Sequence, residues 1–394
     1  MDRLGCARRW AVVLLLGTVA PGVVGCAAPT SWEDLNESAK TAHRENRLEE
    51  AEEGFRAALE LSRGFAKDDP RRVMSLNNLG EFQRSRGKLD EAVVYYRQAL
   101  DLREELLGPD NPELGVSYHN LAMHYQDLNR LEDARQCYER ALEIREQAVG
   151  RDHPLVAEVL TGLGLVAYFK EDYENARGWL ERAVAITERT SLADSPELAT
   201  GLTNLGQLYS ATEEYDLAEQ HFSRAVRILV QNFGPDAIRV ARAQNNHAEV
   251  LRILGRDEEA EQLYLGALEI YAKKLPPDDP EPTVSLNNLG AIYSAQGRYD
   301  EAQTAYLRCI EILEQLPEQA HPDLAASLFN LARLFAVQSK AAEAEPLFQQ
   351  ALDLYESSLG PEHPDVVVVR EGYAEFLRDS GRDDEAQQLA AAGR

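Results

Sequence analysis

Few of the residues that usually carry chemistry are present. The 394 residues include four cysteines, three tryptophans and eight histidines. No H-E-x-x-H, G-x-S-x-G, G-x-x-x-x-G-K or C-x-x-C motif occurs, so no hydrolase, phosphate-binding or redox constellation is legible and no enzyme activity is expected. His119 and His124 are five apart, a spacing that points them to different faces of a helix and argues against a shared metal. Neither metal nor cofactor is expected. Basic residues are also scarce, 41 against 67 acidic ones, for a net charge of −26. Nucleic acid is thereby excluded as a natural partner, and the charge reads as a solvated outer face. No disulfide framework is available either. Cys6 and Cys26 belong to the N-terminal segment, while Cys137 and Cys309 stand four repeats apart, beyond the roughly 7 Å that separates bridged Cα atoms.

What the chain has is repetition. A five-residue phrase returns every 42 residues: L-N-N-L-G at 76, Y-H-N-L-A at 118, L-T-G-L-G at 160, L-T-N-L-G at 202, Q-N-N-H-A at 244, L-N-N-L-G at 286, L-F-N-L-A at 328 and R-E-G-Y-A at 370. A small residue (Gly80, Ala122, Gly164, Gly206) is followed twelve positions later by an Ala (Ala92, Ala134, Ala176, Ala218), then by a bulky residue (Tyr96, Tyr138, Leu180, Phe222) and another small one. Small residues let two backbones approach, and the bulky side chain fills what remains. Between repeats, G-P-D-N-P, G-R-D-H-P and G-P-E-H-P supply a Gly to close one helix, a polar cap and a Pro to open the next. His153, His321 and His363 fall at that capping position, where Asn111 and Ser195 stand in other repeats.

This order of residues resembles the tetratricopeptide repeat, whose usual period is about 34 residues. The 42-residue period is similar to that of kinesin light chains and their bacterial relatives, as in A-L-E-I-R-E-Q-A-V-G-R-D-H from Ala141 to His153. The resemblance implies an all-α fold, a right-handed superhelical solenoid of about nine antiparallel helix-turn-helix repeats over residues 35–394. The repeats start near 35, 76, 118, 160, 202, 244, 286, 328 and 370. A solenoid offers an extended groove rather than an enclosed active site, so the expected partner is a protein or peptide. A monomer is expected.

Residues 1–25 read as a signal peptide: Arg3, Arg8 and Arg9 precede the apolar run Trp10–Leu16, which Pro21 and Gly22 break short of the about 20 residues a spanning helix needs. Val23-Val24-Gly25-Cys26 resembles the bacterial lipobox, which implies cleavage before Cys26 and its acylation, with residues 26–34 as a tether. Each buried methylene contributes about 0.8 kcal/mol, so more than one acyl chain anchors stably. Ala27 stands where an inner-membrane retention signal would show Asp, and the resemblance therefore favours the outer membrane, facing the periplasm. Ordinary cleavage and an uncleaved anchor are the alternatives, the latter giving a membrane-anchored sensor.

The functional signal is an asparagine ladder in the first helix of each repeat: Asn78, Asn120, Asn204, Asn246, Asn288 and Asn330. In tetratricopeptide proteins this position lines the groove, and the amide can both donate to and accept from a peptide backbone. It can also bond a neighbouring helix. Gly162 and Gly372 interrupt the ladder and Glu37 replaces it in the first repeat. By register the groove also takes in Leu165, Tyr168, Arg242, Arg252 and Arg333, an apolar patch followed by a charged stretch. A self-assembling solenoid, with the groove incidental, is the alternative from a structural class.

Overall fold

The computed structural model describes residues 31–190, 194–316 and 321–391, and among these there is no strand. The signal-like segment and Cys26 lie outside the described residues. Eighteen helices follow one another: α1 (Trp32–Arg44), α2 (Leu48–Arg63), α3 (Pro70–Ser85), α4 (Leu89–Leu107), α5 (Glu113–Asp127), α6 (Leu131–Val149), α7 (Pro154–Phe169), α8 (Tyr173–Thr190) and α9 (Pro196–Ala211). Then come α10 (Tyr215–Phe233), α11 (Ile238–Ile253), α12 (Asp257–Lys274), α13 (Thr283–Ala295), α14 (Tyr299–Leu313), α15 (His321–Val337), α16 (Ala341–Leu359), α17 (Pro364–Asp379) and α18 (Asp383–Ala391). They make nine helical hairpins. Contacts divide the chain into two units, Met1–Leu106 and Leu107–Arg394.

Each hairpin is cut by the same local chemistry. The turn inside it carries one left-handed residue, at Asn46, Gly87, Asn129, Glu171, Glu213, Gly255, Gly297, Ser339 and Gly381, with φ between 54° and 76°. The next N–H then reaches back five residues, as Arg130 N–H does to the Tyr125 carbonyl (2.8 Å) and Glu214 N–H to that of Tyr209 (2.8 Å). This is the Schellman closure, which satisfies a carbonyl that the helix end leaves orphaned. Between hairpins, a capping side chain and a proline start the next helix: Asp69 accepts from Arg71 N–H (2.9 Å), His153 Nδ1 from Leu155 N–H (3.2 Å) and His363 Nδ1 from Asp365 N–H (3.3 Å). These two histidines are caps.

The repeated small residues are where helices meet. Ala134, Ala176, Ala218, Ala260, Ala302 and Ala344 are fully buried. A Cβ added at Gly206 would lie 2.7 Å from the Phe222 ring, and one at Gly290 2.5 Å from Tyr306, so in these repeats the bulky side chain of the second helix drops onto the glycine of the first. Where Ala122 and Ala248 occupy that place, the ring reaches the next repeat instead. Tyr138 lies over Gly162, and the Tyr264 hydroxyl accepts from Asn288.

Cys309, in the place of a core Ala, is buried between Thr283 and Ser327, and burial pushes its thiol up to about 11. Neighbouring repeats are also tied by ion pairs about 37 residues apart in sequence, among them Arg182–Glu146 (2.6 Å), Arg224–Glu188 (2.5 Å) and Arg298–Glu261 (2.8 Å).

Candidate partner-binding groove

In the second unit, each first helix touches both its own second helix and the first helix of the following repeat: α5 with α7, α7 with α9, and so on to α17. First helices therefore share one face. Much of the exposed apolar side chain of the chain falls in the matching register of these helices: Val116, Met123, Phe169, Ile253, Val284, Val337 and Val368. Exposed apolar groups gathered on one face mark an interaction surface more than scattered ones do.

Two adjoining cavities open on that face. The larger, about 590 Å³, takes Met123 from α5, Leu165 and Phe169 from α7 and Gly201 from α9. Its floor is the Tyr138 ring against Gly162, with the Tyr138 hydroxyl donating to Gln126 Oε1 at 2.5 Å. Asp127, Glu158 and Glu197 supply carboxylates. No lysine or arginine lines this cavity among the described residues. Burial, reinforced by nearby Arg145, holds the His119 imidazole below its ordinary pKa, and its Nδ1 has no hydrogen-bond partner. The second cavity, about 380 Å³, shares Glu197 and Thr200 with the first and adds Asn204, Asn246, Arg239 and Arg242.

The ladder residues divide by environment. Asn78 donates to Asn36 Oδ1 (2.9 Å), Asn330 to Asn287 Oδ1 (3.1 Å) and Asn288 to the Tyr264 hydroxyl (3.0 Å), so these three amides join adjacent repeats. The Asn78 bond also shows that Asn36, beside Glu37, answers the ladder in the first repeat. Asn204 and Asn246 line the second cavity, with the Asn204 Nδ2 buried and unpartnered. Asn120 is exposed.

Of the other register positions, Leu165 forms a cavity wall and Arg242 a cavity edge, its guanidinium held by Glu281 at 2.5 Å. Tyr168 lies outside both cavities. Its half-buried ring packs against Phe169 (5.6 Å between centroids) and Tyr173 (6.0 Å), because the helical turn that points Phe169 into the groove points Tyr168 toward the core. Arg252 keeps its Nε buried, and Arg333 is exposed beside the Phe329 ring (5.8 Å). Register reasoning did not find Met123, His119, Glu158, Glu197 or Gly201. The signal was available, since Met123 sits one repeat before Leu165 and Glu158 two repeats before Arg242.

Among the described residues there is no group of three His, Cys, Asp or Glu able to hold a metal, and no helix long and apolar enough to cross a membrane.

Comparison with known proteins agrees with this architecture. A comparison with curated proteins returns no match. Among solved structures, the apo form of RapI is similar over 92% of this chain and 97% of its own, with 15% identity and a TM-score of 0.63. A tetratricopeptide repeat protein from Parabacteroides merdae covers 75% of this chain and 98% of its own (20% identity, TM-score 0.51), and BtubC (BKLC) from P. vanneervenii 59% and 94% (23% identity, TM-score 0.51). At these identities the likeness is one of fold. The model of the tetratricopeptide repeat family matches eight overlapping stretches, residues 34–105, 71–147, 113–189, 155–231, 197–273, 239–315, 282–357 and 323–392. The chain belongs to the tetratricopeptide repeat family.

Proposed function

We propose that this protein is a non-enzymatic scaffold, held at the bacterial envelope by a lipid on Cys26, that grips a linear segment of a partner protein on the face formed by its first helices. The repeat fold is a protein-interaction scaffold. The observation that carries the reading is the pair of adjoining cavities on that face, apolar at one end and amide-lined at the other. An extended peptide needs both features, a hollow for a side chain and donors and acceptors for its backbone.

A photoreactive residue placed at Phe169, which is 59% exposed, and separately at Gln220 on the outer surface of α10, tests this in cells. The expected result is an adduct with another protein from position 169 and none from 220. Adducts from 220 alone would move the working surface to the second helices.

The anchor rests on the lipobox-like Val23-Val24-Gly25-Cys26. Transfer to the outer membrane is the extension that Ala27 supports.

A further inference from the structure

Gly162 is a departure from the asparagine ladder, and it changes what the groove can hold. A Cβ there would lie 2.4 Å from Tyr138 Cζ, so the ring has taken the space that an asparagine side chain fills in most repeats. At Gly201, one turn into α9, a Cβ would meet Val184 Cγ2 at 2.9 Å. With both side chains missing, the face sinks into the 590 Å³ cavity between Met123, Leu165 and Phe169. The unit has exchanged a backbone-binding amide for a side-chain pocket.

The uncompensated charge lining that pocket is of one sign. Glu158 is neutralised by Arg145 at 2.9 Å, a guanidinium that is itself buried and also bound to the Leu155 carbonyl. Asp127 and Glu197 are exposed and, among the described residues, in no ion pair. Burial disfavours the charged form of the His119 imidazole, so it offsets them little. Exposed carboxylates beside a low-dielectric hollow attract a cation and disfavour an anion.

Resting on the scaffold reading above, we infer that the occupant is a linear peptide with one bulky aliphatic or aromatic side chain seated on Tyr138 and Gly162 and a lysine or arginine a few residues away, facing Asp127 and Glu197. From Glu197 the chain of the peptide continues over Thr200 into the second cavity, where Asn204 and Asn246 stand. An acidic peptide is disfavoured at the first cavity.

Selection of random displayed dodecapeptides on the full chain tests this, with Phe169→Glu and Glu197→Lys chains, both altered at exposed positions and checked by circular dichroism, as counter-targets. The expected outcome is enrichment of sequences that pair a bulky apolar residue with Lys or Arg. Affinity for them should fall about tenfold or more on Phe169→Glu, as for loss of a central anchor, and weaken with added salt and on Glu197→Lys. Enriched peptides that are acidic, or that bind both variants as well as the native chain, would overturn this inference and leave the scaffold reading standing. If no peptide is enriched, both fall.

Discussion

At the scale of single residues, the left-handed turn position is the clearest case of a local conflict that the fold overrides. Five of the nine hairpins place a residue other than glycine there, including Glu171 and Glu213. A side chain in that conformation costs about 1–2 kcal/mol, while glycine loses about 0.5–1 kcal/mol of extra chain entropy. Glu213→Gly should therefore stabilise the chain by up to about 1 kcal/mol, read as a higher denaturant midpoint. A second residue-scale effect concerns His119, His221 and His247, each held below the ordinary imidazole value of 6.5, chiefly by burial. A depressed histidine binds fewer protons in the folded than in the unfolded state, so stability falls as pH drops below the unfolded value. Melting temperature should decline from pH 7 toward pH 5, and less steeply in His221→Gln. The carboxylates held low by arginine or lysine, such as Glu132 at about 2, act in the same direction as pH falls from the ordinary value of 4.5 through the lowered one.

At the scale of helices, the alternation of small and bulky positions sets the packing. Ala218 is fully buried in α10, so Ala218→Leu should overpack the hairpin and destabilise it by about 1–3 kcal/mol in thermal or urea melts. Asn288→Ala removes a bond from α13 to the Tyr264 hydroxyl and should cost about 1 kcal/mol, with or without a ligand.

These positions also show what the sequence could and could not reveal. Helix pairing, caps and core alanines follow from a 42-residue period, because each depends on residues near one another in the chain. The cavity does not, because its depth depends on which way Tyr138 turns. That direction goes with Ala122, where Gly80, Gly164, Gly206 and Gly290 stand in other repeats, and it is felt at Gly162 in the following repeat. Phe169 and Tyr168, adjacent in sequence, likewise part by about 100° around the helix, enough to leave one exposed in the groove and the other half-buried. The ladder likewise reads as one feature in sequence, whereas the structure divides it into amides that join repeats and amides that line a cavity.

At the scale of the whole molecule, composition and repeat architecture agree. Within that acidic excess, arginines bridge successive repeats, and individual exposed pairs of this kind contribute about 0–1 kcal/mol each. Their role is better seen as matching repeat to repeat than as a large store of stability. If the N-terminal segment is processed as proposed, Cys26→Ser should move the protein from the membrane to the soluble fraction of broken cells, and intact mass should show the loss of acyl chains.

The central claim is that the face built by the first helices is the working surface. Hydrogen–deuterium exchange of the full chain, with and without the partner captured through position 169, tests it most directly. The expected result is partner-dependent protection in α5, α7 and α9, strongest from Thr161 to Phe169 and around Gly201. Protection confined to α6, α8 and α10 would contradict it.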